Sequence, residues 1–359
     1  MYSYLSQDKP NRIRQSELDL AKCIAIFLMI SCHCGMYFLE PDSPGALFFD
    51  LLGGEFAAPV FMVCMGIGVV FSHHNQPRLL ISRGTELLLL GYLLNLIRAT
   101  IPELIVRLIN PSLQLFGLFP SFYMVDILPF AGLAMIVMGL FKKWRVEPAY
   151  QLLIGLLMAG LGDILAWRST GYECSDAFCD LFWGANEWSF FPFLNWFIYP
   201  AAGVYLGEIL MHCNDKTALY KRLLPIGTAG VLLAYYQMFT DYYDYYSNDG
   251  SYYFMDIKNV VYGLCFPMLL FSVCYFITEK TRLGDSRFVT YSSKHLNTIY
   301  CISWVAILWP RYFGILLAGW KITWLCFFLL LAAVFVASYG LCEIWIRFKR
   351  KRAVHKAEK

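Results

Sequence analysis

Two ionisable residues in one apolar run invite a chemical reading. In Asp19-Leu-Ala-Lys22-Cys-Ile-Ala-Ile-Phe-Leu-Met-Ile-Ser-Cys-His33 a cation stands near the start and an imidazole at the end. Eleven residues at 100° each return a helix to within about 20° of its starting direction, so Lys22 and His33 share one face, roughly 16 Å apart along the axis. Charge facing hydrocarbon is costly, so a face carrying both is expected to turn toward protein or water. Farther along the chain Glu55 and Asp126 each interrupt an apolar stretch. A carboxylate buried there takes up a proton or seeks a cation, so each implies a partner. A carboxylate beside an imidazole holds its tautomer and raises its basicity, which suits a general base that removes a proton from a hydroxyl or amine. His33 with either Glu55 or Asp126 could supply that chemistry, and the spacing leaves the two carboxylates as rivals.

The elements that must position these residues follow from composition. Of 359 residues, 58% are hydrophobic and only 15% charged, with a mean hydropathy of +0.52, which indicates an all-α, polytopic membrane bundle rather than a soluble protein. The polar first residues, Met1 to Ser16, hold no apolar signal core, so the first span is expected to be its own insertion signal. A net charge of +3 with dispersed basic residues argues against a nucleic-acid partner. Apolar runs suggest ten spans at about 17–38, 47–72, 79–99, 121–141, 148–167, 191–211, 219–239, 258–278, 288–309 and 320–346. The sixth and ninth are interrupted by Pro192, Pro200, Ser292, Lys294 and His295. No soluble second domain or fixed-period repeat stands out, so residues 1–359 read as one membrane domain with a basic tail from 347.

Lys and Arg orient the spans. One side collects Lys9, Arg12, Arg14, Arg78, Lys142, Lys143, Arg145, Lys216, Lys221, Arg222, Lys280, Arg282, Arg287 and the tail Arg347-Phe-Lys-Arg-Lys-Arg352. The other receives the acidic loop 173–187 and the Tyr/Asp-rich loop from Asp241 to Asp256. Both termini are therefore expected on the cytoplasmic side. The stretch Pro102 to Pro120, with Arg107, reads as a short helix at the outer interface, and Tyr242, Tyr243, Tyr245, Tyr246, Tyr252 and Tyr253 as an aromatic belt, ahead of the alternative of an acceptor-recognition surface.

Depth now attaches to each intramembrane polar residue. Near the outer ends lie His33, Glu55, Asn95, Arg98, Asp126, Asp163 and Asn195; near the inner ends lie Asp19, Lys22, Arg83, Glu86, Glu208, Lys294 and His295. Asp19 and Lys22, three apart, are placed to pair. Lys22 and Arg83 suit the phosphates of an anionic cytoplasmic cosubstrate. A donor held there would reach His33 only through a long, thin arm. Most of the twelve cysteines, such as Cys64, Cys265, Cys274 and Cys326, read as small buried hydrophobes. Cys174 and Cys179 lie in a polar outer loop where a disulfide is an open expectation. Cys32-His33-Cys34 cannot converge on one ion from neighbouring helix positions, and no metal is expected.

Glu17-Leu-Asp-Leu-Ala-Lys22 followed by His33, a Leu-Asp pair, a basic residue and a His about three turns on, is similar to the first-span signature of the transmembrane acyltransferase superfamily, acyltransferase family 3. Gly54-Glu-Phe-Ala-Ala-Pro59-Val-Phe-Met-Val-Cys-Met-Gly66 resembles the second-span motif of the branch containing heparan-α-glucosaminide N-acetyltransferase. Arg83-Gly84 with the run to Asn95 and Arg98, Val125-Asp126-Ile-Leu-Pro-Phe-Ala-Gly132, Asn195 to Gly207, and Ser293 to Tyr300 resemble that branch as well. Lys22 stands where the family more often has Arg, and Cys23 where it has Gly. The resemblance implies transfer of an acyl group, commonly acetyl, from cytoplasmic acyl-CoA to a carbohydrate hydroxyl or amine beyond the bilayer. By position His33 takes the catalytic role, activating the acceptor or briefly carrying the acyl group, with Glu55 or Asp126 orienting it. Lys22, Arg83, Lys294 and His295 would hold the donor, and Asn95, Arg98, Asp163 and Asn195 the acceptor or the developing oxyanion. A bacterial cytoplasmic membrane is the expected location. The alternative, a proton-coupled transporter using the same ionisable residues, would call for an inverted repeat and broken helices at the midplane, neither of which is evident.

Overall fold

A computed structural model describes residues 13–41, 43–113, 115–240 and 252–357. The described chain is helical, with one isolated parallel bridge between Val125 and Ser189. The helices are α1 (Ser16–Phe38), α2 (Pro44–Phe71), α3 (Pro77–Asn95), α4 (Ile101–Ile109), α5 (Leu118–Tyr123), α6 (Ile127–Lys143), α7 (Pro148–Leu165), α8 (Glu173–Phe182), α9 (Phe193–Trp196), α10 (Ile198–Met211), α11 (Lys216–Thr240), α12 (Ile257–Lys280), α13 (Arg287–Lys294), α14 (Leu296–Trp309) and α15 (Trp324–Ala357). Among the described residues eight helical stretches are long and apolar enough to cross a membrane, which makes this an integral multi-pass membrane protein.

Helices stand in the regions of all ten expected spans, but two are short. The fourth is confined to 127–143 because Asp126 caps α6, its Oδ1 accepting from Ile127 N at 2.7 Å. The sixth is only 198–211, preceded by the separate turn of α9 after Pro192. The interfacial helix expected within 102–120 is also altered. A π-helical turn, Leu96–Thr100, joins α3 directly to α4, so helix runs unbroken from Pro77 to Ile109. A second π-helical segment, Pro310–Leu317, extends α14.

Small residues set how closely the spans approach. A Cβ at Gly66 would collide with the backbone of α10 at Pro200, and one at Gly203 with the Val63 carbonyl, so α2 and α10 cross at backbone contact. α1 sits centrally and packs against α2, α12, α13, α14 and α15, which fits its apolar length broken by a few inward polar groups. One of these, Glu17, is buried and accepts from Lys216 Nζ at 2.8 Å and Tyr220 OH at 3.2 Å, tying α1 to α11.

Two expectations for the loops change. Cys174 and Cys179 are both free: five residues apart on α8, they point about 140° from each other, Cys174 outward and Cys179 into the fold. Tyr252 is buried rather than facing lipid, its hydroxyl donating to the Gly54 carbonyl at 2.7 Å, while Trp196 Nε1 holds the Tyr253 carbonyl at 2.9 Å. Tyr242, Tyr243, Tyr245 and Tyr246 lie outside the described residues.

Candidate functional site

The outer set is assembled around a buried ion pair. Arg98 projects inward from the π-helical turn while its neighbour Ile97 faces out, and its Nη1 lies 2.6 Å from Asp126 Oδ2. Capping α6 fixes the carboxylate, and Tyr300 of α14 donates to the same Oδ2 at 2.7 Å. Asn95, one turn before Arg98, accepts from its Nη2 at 2.9 Å and donates to the carbonyls of Phe122 at 3.0 Å and Met124 at 2.8 Å. Asp126 is thus saturated by a guanidinium, a phenol and a backbone amide, the compensation a buried charge requires.

His33 meets this cluster through an indole. The Trp304 ring lies 4.1 Å from the imidazole centroid and 4.2 Å from the Arg98 guanidinium carbon, and Tyr37 meets it edge-on at 5.9 Å. His33 is half-buried; its Nδ1 is enclosed without a hydrogen-bond partner, and the charges of Asp126 and Arg98 both act on the ring. Glu55 is buried on α2, and its charge acts on Tyr199, Tyr235 and Cys32. Asp126 therefore lies in His33's electrostatic surroundings, with its hydrogen bonds given to Arg98 and Tyr300.

The inner set is brought to one cavity. Lys22, Arg83, Lys294 and His295 come from α1, α3, α13 and the break before α14, and all line a space of about 570 Å³. Glu86, Ser72 and Ser293 add polar groups at that wall, while Met62, Met65, Leu87, Leu128 and Met135 line the remainder with apolar surface. The Lys22–Asp19 pair expected from their spacing is present at 3.0 Å. Asp19 also accepts from Arg14 Nε at 2.6 Å and from the Ser293 hydroxyl, and Arg14 reaches Thr290 Oγ1 at 2.9 Å. Asp19 therefore binds α1 to α13 and holds Lys22 beside Ser293 at the wall. Tyr300 closes the connection between layers, since it lines this cavity and hydrogen-bonds Asp126.

Two acceptor-side candidates stay apart from the cluster. Asp163 is exposed on α7, because its position on that helix turns away from the neighbours that Gly155, Ala159 and Gly162 contact. Asn195 is fully buried but donates to the Met255 carbonyl at 3.3 Å, against Gly162, where it fixes the chain entering α12. Sequence reasoning overlooked Trp304 and Tyr37, and took in Ser293 and Tyr300 only as the ends of a motif segment without a role of their own. The available signal was the i, i+4 spacing of Tyr300 and Trp304, which puts two aromatic rings with polar tips on one helix face.

No curated protein matches the chain. A family model described as an acyltransferase domain matches residues 15–343, taking in both layers of the site from Lys22 and His33 on α1 to Tyr300 and Trp304 on α14. The protein therefore belongs to acyltransferase family 3, a family of membrane acyltransferases.

Proposed function

We propose that this acyltransferase takes its acyl group, acetyl, from cytoplasmic acyl-CoA and passes it to a carbohydrate hydroxyl or amine on the opposite side of the membrane. The observation that carries the reading is one cavity with Lys22, Arg83, Lys294 and His295 in its wall and Tyr300, the hydrogen-bond partner of Asp126, also in its wall. The cations suit the phosphates of CoA, and the apolar lining suits an uncharged pantetheine arm. Both termini and the cavity's cationic end lie on the cytoplasmic side in this reading, in a bacterial cytoplasmic membrane.

In the reaction His33 accepts the proton of the acceptor O–H or N–H as that atom attacks the thioester carbonyl. The new C–O or C–N bond forms, the C–S bond breaks, and the proton passes from His33 to the departing thiolate, leaving an ester or amide and free CoA. Arg98, held by Asp126 and Asn95 and stacked on the same Trp304 ring that meets His33, supplies positive charge for the developing oxyanion. Trp304 packs the imidazole in place. The direct test incubates the purified protein with radiolabelled acetyl-CoA and measures CoA release and transfer. His33→Ala should lower transfer by about 10²-fold or more while leaving the thermal transition in place. Activity within a few-fold of wild type would overturn the assignment.

A further inference from the structure

A second space of about 580 Å³ lies among α3, α14 and α15. It is lined by Leu90, Leu93, Leu94 and Ile97, by Cys301, Ile302, Val305, Ala306 and Trp309, and by Leu330, Ala333, Val334, Ala337 and Leu341 of α15. Apart from the Cys301 thiol and the Trp309 indole N–H, these side chains carry no polar group, and that N–H is already donated to the Ile97 carbonyl at 3.0 Å. Leu93, Trp309 and Leu341 are strongly exposed along it, so the space is a groove open at the side of the bundle. Its depth comes from Ala306, Ala333 and Ala337, whereas neighbouring outward positions of α15 carry Phe328, Leu329 and Val336. From Leu330 to Leu341 the groove runs about 16 Å along the helix axis.

All three helices that form it belong to stretches long and apolar enough to cross a membrane. A groove at that depth opens onto hydrocarbon, and leaving it empty forfeits dispersion contacts along its whole length. We propose that the groove is a binding site for one acyl chain of a bilayer lipid. The occupant is a hydrocarbon chain because the lining offers nothing to a polar ligand, and the groove is continuous with the lipid-facing surface of α3 and α15. Walls from α3, α14 and α15 flank that chain, which distinguishes it from chains sliding over the outer faces of the bundle. The bound chain lies directly behind the catalytic layer. Ile97 precedes Arg98, Cys301 follows Tyr300, and Leu90 is shared with the cavity that holds Lys22 and Arg83.

The proposal stands apart from the acyl-transfer reading and is tested without an activity assay. The full-length protein is reconstituted in phospholipid bilayers in which a fraction of the phosphatidylethanolamine carries a mid-chain diazirine, irradiated, and its adducts mapped by peptide mass spectrometry. Adducts on 301–306 and 333–341 should exceed those on the outward face of α11 at Leu232, Leu233 and Tyr236 by about fivefold or more. Ala333→Trp, which fills the groove, should bring labelling of 301–306 down to the α11 level without changing α11. If that variant does not fold, Ala306→Phe serves the same purpose from the opposite wall. Equal labelling of groove and α11 in the wild type would mean only fluid boundary lipid and would overturn the site. A groove unlabelled by lipid but crosslinked to a second copy of the chain would overturn it in favour of a protein occupant.

Discussion

Arg98 and Asp126 lie 2.6 Å apart with both side chains buried, and Asn95 and Tyr300 each hydrogen-bond to one of them. Removing one partner leaves a charge stranded among apolar side chains. Asp126→Ala should destabilise the protein by about 3–5 kcal/mol, seen as a lowered thermal transition in detergent. Replacing both partners together, Arg98→Met with Asp126→Leu, should recover much of that stability while acyl transfer stays lost. A double variant as unstable as the single one would show that the pair is not the origin of the loss.

The inner cations make a separable prediction. Lys22→Glu and Arg83→Glu reverse charge in the wall of the cavity while leaving His33 and Arg98 untouched. The apparent KM for acyl-CoA should rise by about tenfold or more for each, with a smaller change in kcat, and the wild-type KM should itself rise with salt. An unchanged KM in both variants would remove the donor's phosphates from this end of the cavity.

The loop around α8 carries its own pH dependence. Asp180 on α8 is fully buried, and burial raises its carboxyl to about 6 even though its Oδ1 accepts from Ala185 N at 2.8 Å and Asn186 N at 3.0 Å. Because the folded pKa lies above the unfolded value of about 3.9, the folded loop binds the proton more tightly. The loop's stability is therefore highest below about pH 4 and falls as pH rises toward 6, then levels off. Amide exchange across 168–190 should be faster at pH 7 than at pH 5 after correction for intrinsic rates. Asp180→Asn, which keeps the accepting oxygen, should flatten that difference.

Much of the layered site was legible from helix periodicity alone. Lys22 and His33 share a face because eleven residues make about three turns, and the continuous α1 preserves that relation. Asp19 pairs with Lys22 for the same local reason. Lys22, Arg83, Lys294 and His295 meet at one cavity wall as charge and depth implied, since basic residues inside an apolar bundle must share the few polar spaces available.

What the chain's order determined, then, was an all-helical membrane protein with cations toward one end of its spans and an imidazole and carboxylates toward the other. Periodicity and hydropathy report each helix separately, and they are set by local spacing. Tertiary structure alone decided which helix faces which. It gave Asp126 to Arg98 and Tyr300, put Trp304 against His33, turned Asp163 outward and brought Tyr252 inside. Those outcomes depend on where backbones approach closely, as at Gly66 and Gly203, and on the π-helical turn that carries Arg98. Neither is a property of one helix's spacing, because each is settled by the surface that a neighbouring helix presents.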